Sequence, residues 1–283
     1  MRGYMNIKDL MFYGKEQLSE NADAIIIIKI LINHVFKITK EQIVTKLDEE
    51  LCDSDVDLFK KAVQKVKNGI PVQYVTNHQE FMNLNFYVDE NVLIPQPDTE
   101  IVVEEIINQF KDKNCKILDL CTGSGAIAIS LAKYIENSTI VASDISSKAI
   151  QVAKLNAEKN LVHKKIEFIE SDLFENINKK DFDVIVSNPP YIKSKEIDSL
   201  SKEVKCEPHI ALDGGEDGLL FYKAIIEKSH NYLNKNGKLF LEIGYNQKED
   251  VKKLLSENNN FYNIYSKKDL GQNDRIVVAE KRD

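Results

Sequence analysis

The sequence predicts an α/β protein: a doubly wound, mostly parallel sheet of seven strands, with a small N-terminal helical domain and a β-hairpin linker ahead of it. Three observations carry this. Residues 1–75 place apolar side chains at helical spacing, with few breakers before Gly69 and Pro71. Residues 79–95 switch toward alternation, through Phe81, Leu84, Phe86 and Val88. From Pro97 onward short apolar runs alternate with helical stretches, the pattern of parallel strands joined by helices.

In the first segment, Leu47 and Leu51, then Leu58, Phe59, Ala62, Val63 and Val66, fall between polar positions as on a buried helix face. The run Ala24-Ile25-Ile26-Ile27-Ile28-Lys29-Ile30-Leu31-Ile32 is far shorter than the roughly 20 apolar residues that span a bilayer, so it is read as a core helix or strand. The hairpin is expected to turn at Asp89-Glu90-Asn91 and to return through Val92-Leu93-Ile94. Asp98 is read as the cap of a helix over residues 101–110. Strands follow at 116–120, 139–143, 165–169, 183–187 and 238–243. Two more, at 261–265 and 275–280, lie too close together to enclose a helix, so the last is expected to run antiparallel. The domains are thus 1–75, 76–96 and 97–283.

Composition narrows the function. An apolar fraction of 43% with 29% charged residues over 283 positions describes a globular chain able to bury a sizeable core. The N-terminus has no secretory pattern, and Cys52, Cys115, Cys121 and Cys206 form no C-x-x-C pair; both point to the reducing cytoplasm. The five histidines are equally dispersed, so no metal site is expected. The net charge is −7, and residues 1–75 balance ten Lys and one Arg against six Asp and five Glu. No field draws the chain to nucleic acid, and neither a nucleic-acid partner nor a membrane is expected. A monomer is expected.

The first strand of the α/β region runs into Cys121-Thr122-Gly123-Ser124-Gly125. The two glycines let backbone approach a ligand, and the following helix aims free N–H groups at the same place. The second strand ends in Asp144, where a carboxylate can accept from both hydroxyls of a ribose. Gly123-x-Gly125-x-x-Ala128 also satisfies the dinucleotide fingerprint, so this loop leaves NAD and S-adenosylmethionine both open. After the third strand, Asp172 and the Leu173 backbone either read an adenine, with Leu173 packing on its face, or cap a turn.

The fourth strand ends in Asn188-Pro189-Pro190-Tyr191. In a doubly wound sheet, strands one and four flank the crevice where the strand order reverses, so this turn faces the glycine loop. Its chemistry suits a planar substrate carrying an –NH₂ group. The Asn188 side-chain oxygen and the Pro189 carbonyl can each accept one N–H, the two prolines fix the loop, and Tyr191 can stack on the plane. Holding both protons aligns the nitrogen with an electrophilic methyl, and no general base has to be near. A dehydrogenase would need a hydride-transfer residue that is not found. The charged stretch 193–217 is either a lid ordered by substrate or a mobile surface loop.

These blocks together resemble the HemK/PrmC family, the peptide-chain release factor glutamine N5-methyltransferases. The likeness runs from Pro71-Val72-Gln73-Tyr74 through Leu93-Ile94-Pro95-Gln96-Pro97-Asp98-Thr99-Glu100, the glycine loop and Asn188-Pro189-Pro190-Tyr191. It continues through Glu207-Pro208, Leu241-Glu242-Ile243-Gly244 with Gln247, and Asp269-Leu270-Gly271 with Asp274-Arg275. The resemblance implies a Rossmann-like methyltransferase sheet with S-adenosyl-L-methionine as donor and the Gly-Gly-Gln glutamine of release factors as acceptor. It implies cofactor contacts at Cys121 to Gly125, Asp144 and Asn188, substrate contacts at Asn188 to Tyr191, and a helical domain that grips the release factor. Two positions depart from the family: Cys121 stands where glycine is usual, and Gln96 where arginine is usual. A ribosomal-protein glutamine methyltransferase would share this chemistry. A DNA adenine N6-methyltransferase would present a similar –NH₂, but the acidic balance disfavours it.

Overall fold

The computed structural model describes residues 5–282, apart from the side chain of Lys40. The described chain forms two compact units, one of residues up to Asn77 with Ser201–Cys206, the other His78–Leu200 with Glu207 onward.

The first unit is helical: α1 (Ile7–Gln17), α2 (Ala24–Phe36), α3 (Lys40–Thr45), α4 (Asp53–Lys67) and α5 (Val72–Thr76). Its starts are locally encoded. Asn6 and Asp9 form a capping box on α1, as Thr39 and Gln42 do on α3. On α4, Asp53 and Asp55 occupy the first turn and Lys65 and Lys67 the last, matching the helix dipole. The isoleucine-rich run is helix α2, which buries Ile27, Ile28, Leu31 and Ile32 and leaves Ile25 and Ile26 exposed. Leu47 and Leu51 pack against this core from the connection between α3 and α4 rather than from a helix. Phe59 is fully buried at its centre. Phe59→Ala is expected to destabilise this unit by about 3–5 kcal/mol, read as a lower urea midpoint at unchanged slope.

The second unit opens with a hairpin, β1 (Gln79–Phe81) and β2 (Leu84–Phe86), whose turn is Met82-Asn83 and not 89–91. Both turn residues have positive φ, 51° and 55°, the two-residue geometry that fits strand twist. Methionine rarely adopts that conformation, so alternation alone placed the turn seven residues too late, at 89 in place of 82. Residues 89–91 do turn, with Asn91 N–H donating to Asp89 Oδ1 and Val92 N–H to the Asp89 carbonyl, but they are not the turn that joins β1 to β2. The hairpin belongs to this larger unit: Tyr134 Oη donates to the Met82 carbonyl, and Asn160 Nδ2 to the Asn85 carbonyl.

A 3₁₀ turn at Pro97–Thr99 leads into α6 (Glu100–Phe110). Asp98 does not cap this helix. Its carboxylate instead accepts from Arg275 NH2 at 3.0 Å, a partner 177 positions away that local sequence cannot reveal. Then follow β3 (Cys115–Leu120), α7 (Ala126–Tyr134), β4 (Ser138–Asp144), α8 (Ser147–Lys159), β5 (Ile166–Glu170), β6 (Phe182–Ser187), α9 (His209–Leu212), α10 (Leu220–Ser229), β7 (Leu233–Glu242), α11 (Lys248–Glu257), β8 (Phe261–Lys268) and β9 (Asp274–Lys281).

The seven strands are ordered β5-β4-β3-β6-β7-β9-β8, parallel except for β9, which pairs antiparallel with both neighbours. This is the expected doubly wound sheet. Successive residues of the central strands face opposite sides and both sides are covered, so the strands read as continuous apolar runs. Leu118, Leu120, Ile185, Leu239 and Leu241 join α10 and α11 in one buried cluster. Their alternating neighbours Ile117, Val184, Val186 and Phe240 are equally buried on the other side. Among the described residues no helix is long and apolar enough to cross a membrane.

Candidate active site

The site forms because β3 and β6 are adjacent and parallel. Their register pairs Leu120 with Ser187, so Cys121 and Asn188 leave the sheet side by side at its carboxyl edge. Ser187 Oγ donates to the Leu120 carbonyl at 2.8 Å and locks the two ends together.

From β3 the chain turns through Cys121, Gly123 and Gly125, at φ values of 59°, 55° and 82°. The left-handed conformation at Cys121 accounts for the glycine usual there, since a side chain at such φ is strained by about 1–2 kcal/mol. Burial and the nearby Asp144 push the Cys121 thiol well above the usual range, so it is a poor nucleophile. Asp119 supports the loop from beneath, accepting from Thr122 Oγ1 at 2.6 Å and from Ala128 N–H at 3.2 Å. Complete burial pushes its carboxyl up to about 7 against those two donors. Asn156, also fully buried, donates to the Ser124 carbonyl at 2.9 Å and accepts from Tyr87 N–H at 2.7 Å. It joins the loop to the segment after the hairpin.

Asp144 closes β4 with one carboxylate oxygen accepting from Gly123 N–H and the other from Ser146 N–H, both at 2.9 Å. Burial raises its pKa, and these N–H groups with that of Ile145 pull it back.

Beside the loop lies a cleft of about 740 Å³, counted to its open mouth. Cys121, Gly123, Asp144, Asp172, Leu173 and Asn188 line it, with Pro190 at the acceptor end. The remaining expected residues stand behind it. Thr122 and Ser124 are buried, Gly125 caps α7, and Pro189 is buried in the turn. Tyr191 packs its ring beside Gly244, and burial raises its hydroxyl to about 12. Ile145, Ile210 and Phe221 also line the cleft. The sequence held one signal for them: Ile145 puts an apolar side chain directly after a strand-ending aspartate, where a loop is ordinarily polar.

The Asn188 turn is held from several directions. Asn188 Nδ2 donates to Thr99 Oγ1 at 3.3 Å, and Gln247 Nε2 donates to the Tyr191 carbonyl at 3.0 Å. Residues 193–217 are structured rather than featureless, with 3₁₀ turns at Ser194–Ser199 and Val204–Cys206 followed by α9. Their far end straps the turn: Ile192 N–H donates to the Leu212 carbonyl and Gly214 N–H to the Ile192 carbonyl. Gln96 spends its amide within its own loop, donating to the Ile94 carbonyl at 3.0 Å. The position where the family carries arginine thus makes a local contact.

The chain is similar to known methyltransferases. Residues 96–215 match the family model "Methyltransferase small domain", and residues 9–76 match "PrmC N-terminal domain". The release factor glutamine methyltransferase of Clostridium acetobutylicum is 38% identical, over 97% of this chain and 98% of its own. The protein of that name from Buchnera aphidicola subsp. Schizaphis graminum is 42% identical, over 90% of this chain and 91% of its own. The crystal structure of a methyltransferase from Pyrococcus furiosus superposes with a TM-score of 0.54 at 19% identity, covering 71% of this chain and 90% of that one, which bears out the fold. With relatives this similar along nearly the whole chain, the protein belongs to the release factor glutamine methyltransferase family.

Proposed function

We propose that this protein transfers a methyl group from S-adenosyl-L-methionine to the side-chain amide nitrogen of the glutamine in the Gly-Gly-Gln motif of peptide-chain release factors. The observation that carries this reading is the whole-length similarity to enzymes named for that reaction, since the fold alone serves many acceptors.

The cleft fits the donor. Gly123 lines it, and a Cβ added there would meet nothing within 4 Å, so the loop leaves its backbone open to a ligand. Asp144 and Asp172 offer carboxylates for ribose and base, and Ile145, Leu173 and Phe221 offer apolar surface for an adenine. When bound, S-adenosylmethionine supplies a methyl on a positively charged sulfur. The chain supplies the acceptor's orientation. Asn188 Oδ1 and the Pro189 carbonyl take the two N–H bonds of the glutamine amide, and the rigid prolines keep those acceptors from turning away. Both acceptors favour the positive charge that develops on the nitrogen as it is alkylated.

On this reading the helical unit grips the body of the release factor, and the protein works in the cytoplasm as a monomer. Tandem mass spectrometry after incubation with a release factor and cofactor tests the reaction. The expected product carries one methyl on the Gly-Gly-Gln glutamine, and a release factor with glutamate there carries none. A methyl on any other residue, or transfer to a ribosomal protein or DNA with none to the release factor, overturns it.

A further inference from the structure

Gln247 stands immediately before α11 and reaches back to the acceptor turn. Its backbone is rooted at the helix start: its N–H donates to the Gly244 carbonyl at 2.9 Å, and its own carbonyl accepts from Val251 N–H at 3.0 Å. The side chain is 5% exposed. One Nε2 hydrogen goes to the Tyr191 carbonyl at 3.0 Å and the other to the Gly218 carbonyl at 3.1 Å, while Oε1 accepts from Gly244 N–H at 2.9 Å. An amide turned over would set its oxygen against two carbonyls and its N–H groups against a donor, so these partners fix which way it faces.

The backbone closes on this amide from two segments. A Cβ at Gly218, where φ is +74°, would lie 2.6 Å from the Tyr191 oxygen and 2.9 Å from Gln247 Nε2, and one at Gly244 would lie 2.8 Å from Gln247 Oε1. Only glycine leaves room for so close an approach. The carbonyl that Gln247 holds is one end of the Tyr191–Ile192 peptide, and the other end, Ile192 N–H, donates to the Leu212 carbonyl at 3.0 Å. With both ends held, this planar group cannot rotate. Between it and Asn188 stand Pro189 and Pro190, whose rings fix φ, so the turn has little freedom with which to absorb a shift.

We propose that Gln247 is a positioning residue for methyl transfer: its side-chain amide clamps the Tyr191–Ile192 peptide and, through the two prolines, sets the direction in which Asn188 and the Pro189 carbonyl face the acceptor. The inference rests on the function proposed above only in taking those two groups to accept from an –NH₂ nitrogen.

The test uses the full-length protein and three variants. Gln247→Glu keeps the length and puts an oxygen where Nε2 stood, against two carbonyls. Gln247→Met keeps the size, has no charge to bury, and leaves both carbonyls without their donor. Leu255→Ala is the control, since it hollows the buried face of the same helix about two turns further along. In kinetics with the release factor, both Gln247 variants are expected to lower kcat about 10- to 100-fold, the scale of a misplaced reacting group, with KM within about threefold. The calorimetric Kd for S-adenosylmethionine is expected to stay unchanged, which also shows that the variants are folded. Leu255→Ala is expected to lower Tm while holding kcat within about twofold, assayed well below that Tm. In the substrate-free protein, the side-chain amide resonances of Asn188 are expected to shift in both Gln247 variants and to stay in place in Leu255→Ala. A Gln247→Met protein that binds cofactor and turns over normally, or Asn188 resonances that ignore Gln247, overturns the proposal. So does a Leu255→Ala that loses kcat as the Gln247 variants do, since general loosening would then explain all three. Failure of the broader reading looks different: the wild type itself puts no methyl on a release factor, while the substrate-free Asn188 resonances still decide the role of Gln247.

Discussion

Replacing Asn188 with alanine is expected to lower kcat by at least about 100-fold, on the scale of losing one preorganised group that stabilises developing charge. The cofactor should still bind, with a calorimetric Kd changed far less than kcat, because the glycine loop and Asp144 remain intact. Asn188 is only one of the groups lining the cleft, but its Nδ2 donates to Thr99, and on the function proposed here that leaves its oxygen to accept from the incoming amide. Asn188→Asp separates orientation from shape. It keeps the size, loses the donor to Thr99 and brings a second carboxylate beside Glu242, so it should fail nearly as badly. Near-normal turnover in the alanine variant would remove Asn188 from the mechanism.

Gly214→Ala is expected to damage catalysis without touching the cleft. A Cβ at this position would lie 2.7 Å from Tyr191 Cα, 2.8 Å from its carbonyl carbon and 2.9 Å from the Pro190 oxygen. These are backbone atoms of the acceptor turn, so relief cannot come from swinging a side chain aside. Nor is Gly214 free to retreat: its N–H donates to the Ile192 carbonyl at 2.8 Å, and its carbonyl accepts from Leu220 at 3.1 Å. The turn itself must shift, and misplacement of reacting groups by even about 1 Å costs on the order of 100-fold in rate. Overpacking of this kind also destabilises by about 1–3 kcal/mol. The expected pattern is a large fall in kcat and a modest fall in Tm, with cofactor Kd unchanged. Unaltered kcat would show that the strap does not position the turn.

The two halves of the site were legible in the sequence because each is a local motif with its own backbone chemistry. The glycines of the loop and the Asn188 turn announce themselves within a few residues, and the alternation of strands and helices assigns both to one edge of the sheet. What failed to show was set by partners far along the chain. Asp98 has every local mark of a helix cap, yet Arg275 takes its carboxylate. The hairpin turn falls on Met82-Asn83, where left-handed backbone is imposed on a methionine, and the Met82 N–H is fixed by Glu100. Asn156 stands in an ordinary helical stretch and becomes a brace for the glycine loop only through contacts with Tyr87 and Ser124. Glu242 reads as one charge after a greasy strand. Only the parallel register shows that this strand ends against Asn188.

The account stands most directly on a crystal structure of the protein with S-adenosylhomocysteine. It predicts the nucleoside in the cleft beside β3 and β4, ribose hydroxyls on Asp144, and the sulfur facing Asn188 across the edge where β3 and β6 end. A nucleoside bound away from the Gly123 loop, or a sulfur turned from Asn188 with another group in its path, would contradict it.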